Sequence, residues 1–355
     1  MTEIHQFLST FAGRDAIGAH TLRLRRLLRE AGFRSDIYAV DTHDDVRTEA
    51  LDAAAFTRRT GETSDPWILY HFSIGHPLFD RVRGLDAQLA LDYHNVTDAK
   101  YFWRWEPRAA TTMLEGRRQL AVAAPAVRFG VADSEFNQRE LDAAGYARTA
   151  HVPILIDWHA YDRAPDDAIM ARWDGVQPLL LFVGRVSPHK RQDDLIRMLA
   201  YYRACIDPNA RLVLVGGYRD QPQYHARLAE LVKALHLEPS VTFAGAVSTA
   251  ELVAYFRSAS AFVSLSEHEG FGVPLLEAMK FDVPVIARDA AAVGETVDGA
   301  GILLKDRDLA QAAEAVGLVL ERPELRERLV AAGRERLRAF DPDRVALQTR
   351  EALGL

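Results

Sequence analysis

The sequence predicts an α/β protein of two doubly wound parallel-sheet domains. The chain has 355 residues, a length that suggests about two domains. Short continuous apolar runs alternate with amphipathic stretches throughout, as parallel strands do when crossover helices bury both faces of a sheet. The alternation lapses over 155–176 and restarts at Leu179-Leu180-Leu181-Phe182-Val183, so it describes two units.

In the first unit the apolar runs predict strands at 4–9, 35–40, 67–71, 87–93, 128–132 and 150–154, with helices at 19–31, 45–57, 107–124 and 135–144. The second unit repeats the pattern with strands at 179–183, 211–215, 241–244, 261–265, 283–287 and 301–304. Between them, 155–176 has mixed polarity and a proline, which marks a linker. The tail, 323–355, reads as helices rich in Arg, Glu and Leu, broken at Asp341-Pro342-Asp343. The expected domains are therefore 1–157 and 174–338, with a helix at about 341–355 crossing back to the first. Ligands of open parallel sheets bind beyond the carboxyl ends of the strands, which places the expected site in a cleft that both sheets face.

Composition narrows the function. Hydrophobic residues make up 48% and charged residues 26%, and the net charge is −7. Neither half is basic, which argues against a grip on nucleic acid backbone. Cys205 is the single cysteine, so no internal disulfide or thiolate metal cluster is expected. No basic leader precedes an apolar block, and no run reaches the roughly 18 apolar residues of a membrane span, so a cytoplasmic location is expected. The sequon Asn95-Val96-Thr97 is then read as accidental.

Two stretches could carry chemistry. In Ser266-Glu267-His268-Glu269-Gly270-Phe271-Gly272-Val273-Pro274-Leu275-Leu276-Glu277, a predicted strand gives way to a helix. Gly270 and Gly272 allow close backbone approach, and Pro274 suits the first helical position. The exposed amides of such a helix start suit a phosphate. Glu269 before the helix and Glu277 in its expected first turn are hydrogen-bond acceptors for sugar hydroxyls. Taken alone, the two are better read as a solvated loop residue and a dipole-complementing carboxylate. In Phe182-Val183-Gly184-Arg185-Val186-Ser187-Pro188-His189-Lys190, Arg185 and Lys190 end the first strand of the second unit and could neutralise a diphosphate. Neither a G-x-G-x-x-G fingerprint nor a P-loop is present.

These motifs, with Gly216-Gly217, Val241-Thr242-Phe243-Ala244-Gly245, Glu277-Ala278-Met279 and Val283-Pro284-Val285-Ile286-Ala287 followed by Glu295, resemble in order and spacing the family-4 retaining glycosyltransferases. The resemblance covers essentially the whole chain and is densest over 179–305. It implies the GT-B fold and transfer of a sugar from a UDP- or GDP-sugar to an acceptor hydroxyl with retention, in polysaccharide or glycolipid synthesis. Arg185 and Lys190, with Gly184, would bind the diphosphate. Glu269 would bind hydroxyls of the transferred sugar, with the amides of Gly270, Phe271, Gly272 and Val273, and Glu277 would bind the ribose. Gly18 corresponds to a donor-side loop, although the family's adjacent glycines are replaced by Gly13-Arg14-Asp15-Ala16-Ile17-Gly18. His94 resembles the family's cleft histidine, and many relatives carry an acidic residue where Asn95 stands.

His71 and His76 follow the preceding strand and are acceptor-side candidates, as are Tyr101 and Trp103 in Tyr101-Phe102-Trp103-Arg104-Trp105. The three histidines suggest zinc by type, but the resemblance implies a reaction without metal or other cofactor. The acceptor is expected to be a glycan, a lipid-linked molecule or a small molecule. Thr21-Leu22-Arg23-Leu24-Arg25-Arg26-Leu27-Leu28-Arg29-Glu30 is a basic amphipathic stretch, readable as a peripheral contact with an anionic inner membrane face or as an ordinary first helix. The alternatives to transfer are a nucleotide-sugar epimerase, a phosphorylase and a catalytically silent binding subunit.

Overall fold

The computed structural model describes residues 3–13, 15–58 and 66–354. Arg14 of the glycine loop and Leu355 of the last helix lie outside them. The chain forms two compact units: Met1–Trp103 with Pro107–Asp157 and Phe340–Leu355, and Trp158–Ala339 with Arg104–Glu106.

In chain order the first unit contains β1 (Ile4–Phe11), α1 (Ala16–Glu30), β2 (Ile37–Thr42), β3 (Leu51–Asp52), β4 (Trp67–Phe72), α2 (Pro77–Arg83), β5 (Gln88–Tyr93), α3 (Pro107–Ala123), β6 (Phe129–Ala132), α4 (Glu135–Ala143) and β7 (Thr149–His151). Its strands form a seven-stranded sheet in the order β3-β2-β1-β4-β5-β6-β7, with parallel pairing throughout. The central strands β1, β4 and β5 are buried on both faces nearly throughout, whereas the edge strands β3 and β7 are partly exposed.

Helix α1 starts earlier than 19, because Asp15 caps it: the Asp15 carboxylate accepts from the Gly18 amide at 2.6 Å. Gly18 therefore lies within the first turn and does not open the helix. Its missing side chain has a local cause, since a Cβ there would stand 1.8 Å from the Ala12 carbonyl oxygen. Leu24, Leu27 and Leu28 are buried on the face that packs against the sheet. The helix expected over 45–57 is replaced by 3-10 turns at Asp44–Val46 and Ala53–Arg58 around the short edge strand β3. Val46, Ala53 and Phe56 are buried here; their spacings of seven and three also fit one helical face, so this pattern alone does not separate a helix from two 3-10 turns. The strand expected over 150–154 ends at His151, and the Leu155 amide instead donates to the His20 ring.

The second unit contains α5 (Asp167–Trp173), β8 (Leu179–Val183), α6 (Gln192–Cys205), β9 (Arg211–Val215), α7 (Pro222–Ala234), β10 (Val241–Gly245), α8 (Thr249–Ser258), β11 (Ala261–Ser264), α9 (Val273–Lys280), β12 (Val285–Arg288), α10 (Val293–Val297), β13 (Gly301–Leu304), α11 (Leu309–Glu321) and α12 (Pro323–Leu337). Six parallel strands run in the order β10-β9-β8-β11-β12-β13. The stretch expected as linker holds α5, capped by Asp166, whose carboxylate accepts from the Ile169 amide at 2.9 Å. β12 begins after Pro284, which has no N–H for the ladder, although its carbonyl accepts from the Phe262 amide.

The last helix, α13 (Pro342–Leu353), starts at the Asp341-Pro342 break, with Asp341 as its cap, and belongs to the first unit. Its Val345 is buried there beside Ile4, Leu24 and Leu28.

Candidate active site

Strand order reverses between β8 and β11 in the second sheet, and the loops after these two strands hold the residues singled out by sequence. The loop after β8 leaves through Gly184. Gly216, at the end of β9, has φ +146°, and a Cβ on it would lie 2.1 Å from the Gly184 carbonyl oxygen. The two backbones touch, which only glycine permits. Arg185 is exposed and stands 3.8 Å from the Asp220 carboxylate. Lys190 closes a 3-10 turn, Pro188–Lys190, and its ammonium donates to the Glu269 carboxylate. The Glu267 amide donates to the His189 carbonyl at 2.8 Å and ties the two loops together.

Gly272, at φ +95°, caps α9 without a side-chain acceptor, so no carboxylate or hydroxyl of a cap residue covers the helix start. Pro274 stands second in the helix, after Val273, and Glu277 falls beyond the first turn, two corrections of detail to the expected register. Glu277 is buried and accepts from the Tyr161 hydroxyl. Burial pushes its carboxyl up to about 7, against the lowering effect of that hydrogen bond. Phe271 is buried and its carbonyl accepts from Thr296 at 2.6 Å. Beside this site, Arg288 and Arg307 converge on Glu267 Oε1 at 3.2 and 3.8 Å. That cluster was not singled out from the sequence, where the three residues are scattered.

In the first unit, His94 follows β5 and His71 lies near the end of β4. Their rings are parallel, with His71 Nδ1 3.0 Å from His94 Nε2. His94 Nδ1 faces Asp133 Oδ2 at 3.2 Å, and Asn137 donates to the other Asp133 oxygen. His71 Nε2 faces Gln6 Oε1 at 2.9 Å. Asp92 lies 3.2 Å from His71 Nδ1 and 2.9 Å from His20 Nε2. All these groups are buried. His20, Asp92 and Asp133 were not foreseen; the only sequence signals were a histidine on the apolar face of α1 and an aspartate two residues before His94.

His20, His71 and Asp92 have the residue types and proximity of a metal site. A neutral imidazole offers one lone pair, however, and that of His20 accepts the Leu155 N–H at Nδ1, 2.9 Å away. His20 Nε2 therefore carries the proton and donates to Asp92.

His76 stands apart from this cluster. It caps α2, its Nδ1 accepting from the Leu78 amide at 3.1 Å. The aromatic stretch is divided. Phe102 packs with Ala99 and Ala110, Tyr101 lies under the Lys100 ammonium, and Trp103 is exposed. Trp105 stacks edge-on against Tyr224 at 5.2 Å.

Residues 170–336 match the family model of the glycosyl transferases group 1. The D-inositol 3-phosphate glycosyltransferase of Kineococcus radiotolerans is 31% identical over 246 residues, covering 63% of this chain and 56% of that protein. The chain spans about half the length of the curated relatives it matches. Two solved structures match end to end. Sucrose-phosphate synthase from Thermosynechococcus elongatus gives a TM-score of 0.78 at 20% identity, covering 99% of this chain and 98% of that one. Anabaena HepE in complex with UDP-glucose gives 0.79 at 18% identity, covering 100% of both. At these identities the likeness establishes the fold, which is of the GT-B class.

Proposed function

From the match of residues 170–336 to the glycosyl transferases group 1, we propose that the protein transfers a sugar from a nucleoside diphosphate sugar to an acceptor hydroxyl with retention of configuration. The observation that carries this reading is the meeting of Lys190 with Glu269 beside the uncapped start of α9, at the switch point of the second sheet. A cation and helix amides suit a diphosphate, and a carboxylate suits sugar hydroxyls.

Lys190, Arg185 and the α9 start stabilise negative charge that grows on the departing diphosphate as the anomeric carbon becomes oxocarbenium-like. Gly184 and Gly216 keep side chains out of the diphosphate's path. Glu269 and the amides from Gly270 to Val273 orient the sugar, and Glu277 accepts from the ribose hydroxyls. The departing phosphate oxygen takes the acceptor proton on the same face, so no protein base is needed and no metal is required. The first unit presents the acceptor, with His94 at the reaction centre, His71 behind it, and Tyr101 and Trp103 as apolar contacts. Any donor-side contact of Gly18 would bypass its amide, which already serves the Asp15 cap.

The acceptor class is a glycan or lipid-linked hydroxyl in surface polysaccharide or glycolipid synthesis. The inositol-phosphate relative supports a polar, polyhydroxylated acceptor, and the UDP-glucose complex of HepE supports a nucleotide-sugar donor. Work at the cytoplasmic face of a membrane fits such products, and no helix among the described residues is long and apolar enough to cross one.

The test is a thermal-shift and nucleotide-release screen across UDP-, GDP- and ADP-sugars. One donor should stabilise the protein and release its nucleotide when acceptor is added. Release without acceptor, with isomerised sugar, would replace transfer by epimerisation. No stabilisation and no release with any donor would overturn the reading.

A further inference from the structure

The hydrogen bonds of the buried histidine chain leave one proton to be accounted for. Its ends are fixed by groups whose roles are not in doubt. The Leu155 amide can only donate, so His20 Nδ1 accepts, and His20 Nε2–H donates to Asp92. Gln6 Nε2 donates to the Thr21 carbonyl at 3.2 Å, which orients its Oε1 toward His71 Nε2, and His71 Nε2–H donates to it at 2.9 Å. Reversing the Gln6 amide would set two carbonyl oxygens against each other. His71 Nδ1 faces both His94 Nε2 at 3.0 Å and Asp92 Oδ2 at 3.2 Å, so one proton lies between the two rings, on His94 Nε2 or, shared with Asp92, on His71 Nδ1.

If His71 supplies it, His71 is itself doubly protonated; if His94 supplies it, that uses the single proton of a neutral His94. Its Nδ1 still faces Asp133 Oδ2 at 3.2 Å, and two lone pairs at that distance, out of water, repel. We infer that the buried His71–His94 pair holds one proton more than two neutral rings at neutral pH, with His94 Nδ1–H donating to Asp133 and one proton shared between His94 Nε2 and His71 Nδ1, and that His71 and His20 are positioning residues for this imidazolium.

The surroundings favour this placement of the proton. Burial raises the Asp133 pKa overall, while the facing His94 and the Asn137 amide, which donates to Oδ1, favour the anion. Burial opposes charge on His94, but Asp92 from β5, Asp133 from the loop before α4 and Asp15 from the α1 cap together outweigh it, and its pKa is raised. His71 has only Asp92 in its favour against full burial and the neighbouring His94 and His20, and it is held down to about 4. Asp92 remains ionised: burial raises its pKa, but the facing histidines lower it well below the usual range. The resulting network runs from Leu155 through His20 to Asp92, and from Gln6 through His71, His94 and Asp133 to Asn137, tying β1, β4, β5, α1 and α4 together. Two of its links, His94 to His71 and His94 to Asp133, exist together only while the extra proton is present.

The protonation state does not depend on the reaction, whereas its consequence for turnover rests on the glycosyl-transfer reading. Loss of the proton at alkaline pH breaks one of the two links and frees the ring, so turnover falls on the alkaline side. The experiment is histidine-selective 15N and 13C NMR of the whole protein between pH 5 and 9.5. The His94 signals are assigned by their loss in His94→Gln or, if that variant does not fold, by through-space contacts to His71. The expected result is one imidazolium within the His71–His94 pair at pH 7, where an ordinary imidazole is mostly neutral, beside a neutral His20 protonated on Nε2. Two neutral rings at His71 and His94 at pH 7 would overturn the inference.

A pH profile supplies the positioning readout. His71→Gln, which keeps an acceptor, should leave the alkaline limb nearer the wild-type position than His71→Leu, which removes it; coincident limbs in the two folded variants would remove His71's positioning role. If no donor supports turnover, the transfer reading fails and the NMR result stands by itself.

Discussion

The Lys190 ammonium donates to the Glu269 carboxylate across the switch point of the second sheet, so two groups proposed to serve opposite ends of one substrate hold each other in its absence. Both are largely buried, which makes the pair more than a surface contact. Binding must exchange this ion pair for two new ones, Lys190 to phosphate and Glu269 to sugar hydroxyls. The two variants should therefore separate. Lys190→Ala should weaken nucleoside diphosphate binding and lower turnover by about 10²–10³-fold, the usual effect of removing one preorganised donor to a developing negative charge. Glu269→Gln should lower turnover as well, yet leave nucleoside diphosphate affinity unchanged or tighter, because Lys190 is released. Titration calorimetry with UDP and GDP, beside initial rates, distinguishes these. Equal weakening of diphosphate binding in both variants would show that Glu269 does not act on the sugar side.

Glu277 makes a second prediction, in pH. Its carboxyl is raised from 4.5 to about 7, first by burial, and Tyr161 offsets part of that. An ionised carboxylate accepts from both ribose hydroxyls, whereas a protonated one has less acceptor capacity. Affinity for the nucleoside diphosphate should rise between pH 6 and 8, and Glu277→Gln should flatten this rise. Tyr161→Phe should move its midpoint upward, because the donor that favours the anion is gone. Stability has the opposite slope. The folded state keeps a proton that the unfolded chain releases, so stability falls as pH rises from 4.5 to about 7, by an amount on the order of 3 kcal/mol. Denaturant titrations of wild type and Glu277→Gln at pH 5 and 8 measure it; parallel pH dependence in the two would refute the assignment.

Gly18 separates a structural role from a donor-binding one. A Cβ there would overlap the Ala12 carbonyl oxygen and press on the Asp15 cap, so Gly18→Ala must displace the loop or the helix start. Loss of the cap alone costs about 1 kcal/mol, and the added clash brings the expected destabilisation to roughly 2–4 kcal/mol by urea unfolding. Nucleoside diphosphate affinity of the folded fraction should stay within about twofold, since the Gly18 amide is already engaged by Asp15. Wild-type stability with weakened binding would instead make Gly18 a ligand contact.

The sequence was most legible where local chemistry decides structure. Leu179–Val183 and Arg211–Val215 are strands because they are short, apolar and bounded by turn residues. Helix registers were less legible: Asp15 moves the start of α1, and Gly272, by taking the cap position, puts Glu277 one residue deeper than expected, just past the first turn. Pairings between residues far apart in sequence left no trace. Nothing in the order of residues announces that Tyr161 meets Glu277, or that His20 meets Asp92. His71 and His94 were visible as histidines at strand ends, but their partners Gln6 and Asp133 come from other strands and loops, and those partners set the tautomers.

The arginine-rich α1 provides the last prediction. A basic amphipathic stretch attracts an anionic surface by about 1 kcal/mol for each unneutralised Lys or Arg. Here most of that charge is already paired within the first unit. Arg23 meets Asp157 at 2.6 Å, Arg25 is held by the carboxylate and carbonyl of Glu49, and Arg29 binds the Ser35 carbonyl at 2.8 Å and Asp36 at 3.2 Å. The leucines of the stretch are no more available, since Leu24, Leu27 and Leu28 are buried in the core. Arg26 is exposed, but one charge holds a protein to a membrane only weakly. Arg26→Glu should therefore change co-sedimentation with phosphatidylserine vesicles by less than about fivefold, with unfolding unaltered. A larger loss would restore α1 as a membrane-facing element; a smaller one places any attraction to an anionic surface elsewhere in the molecule.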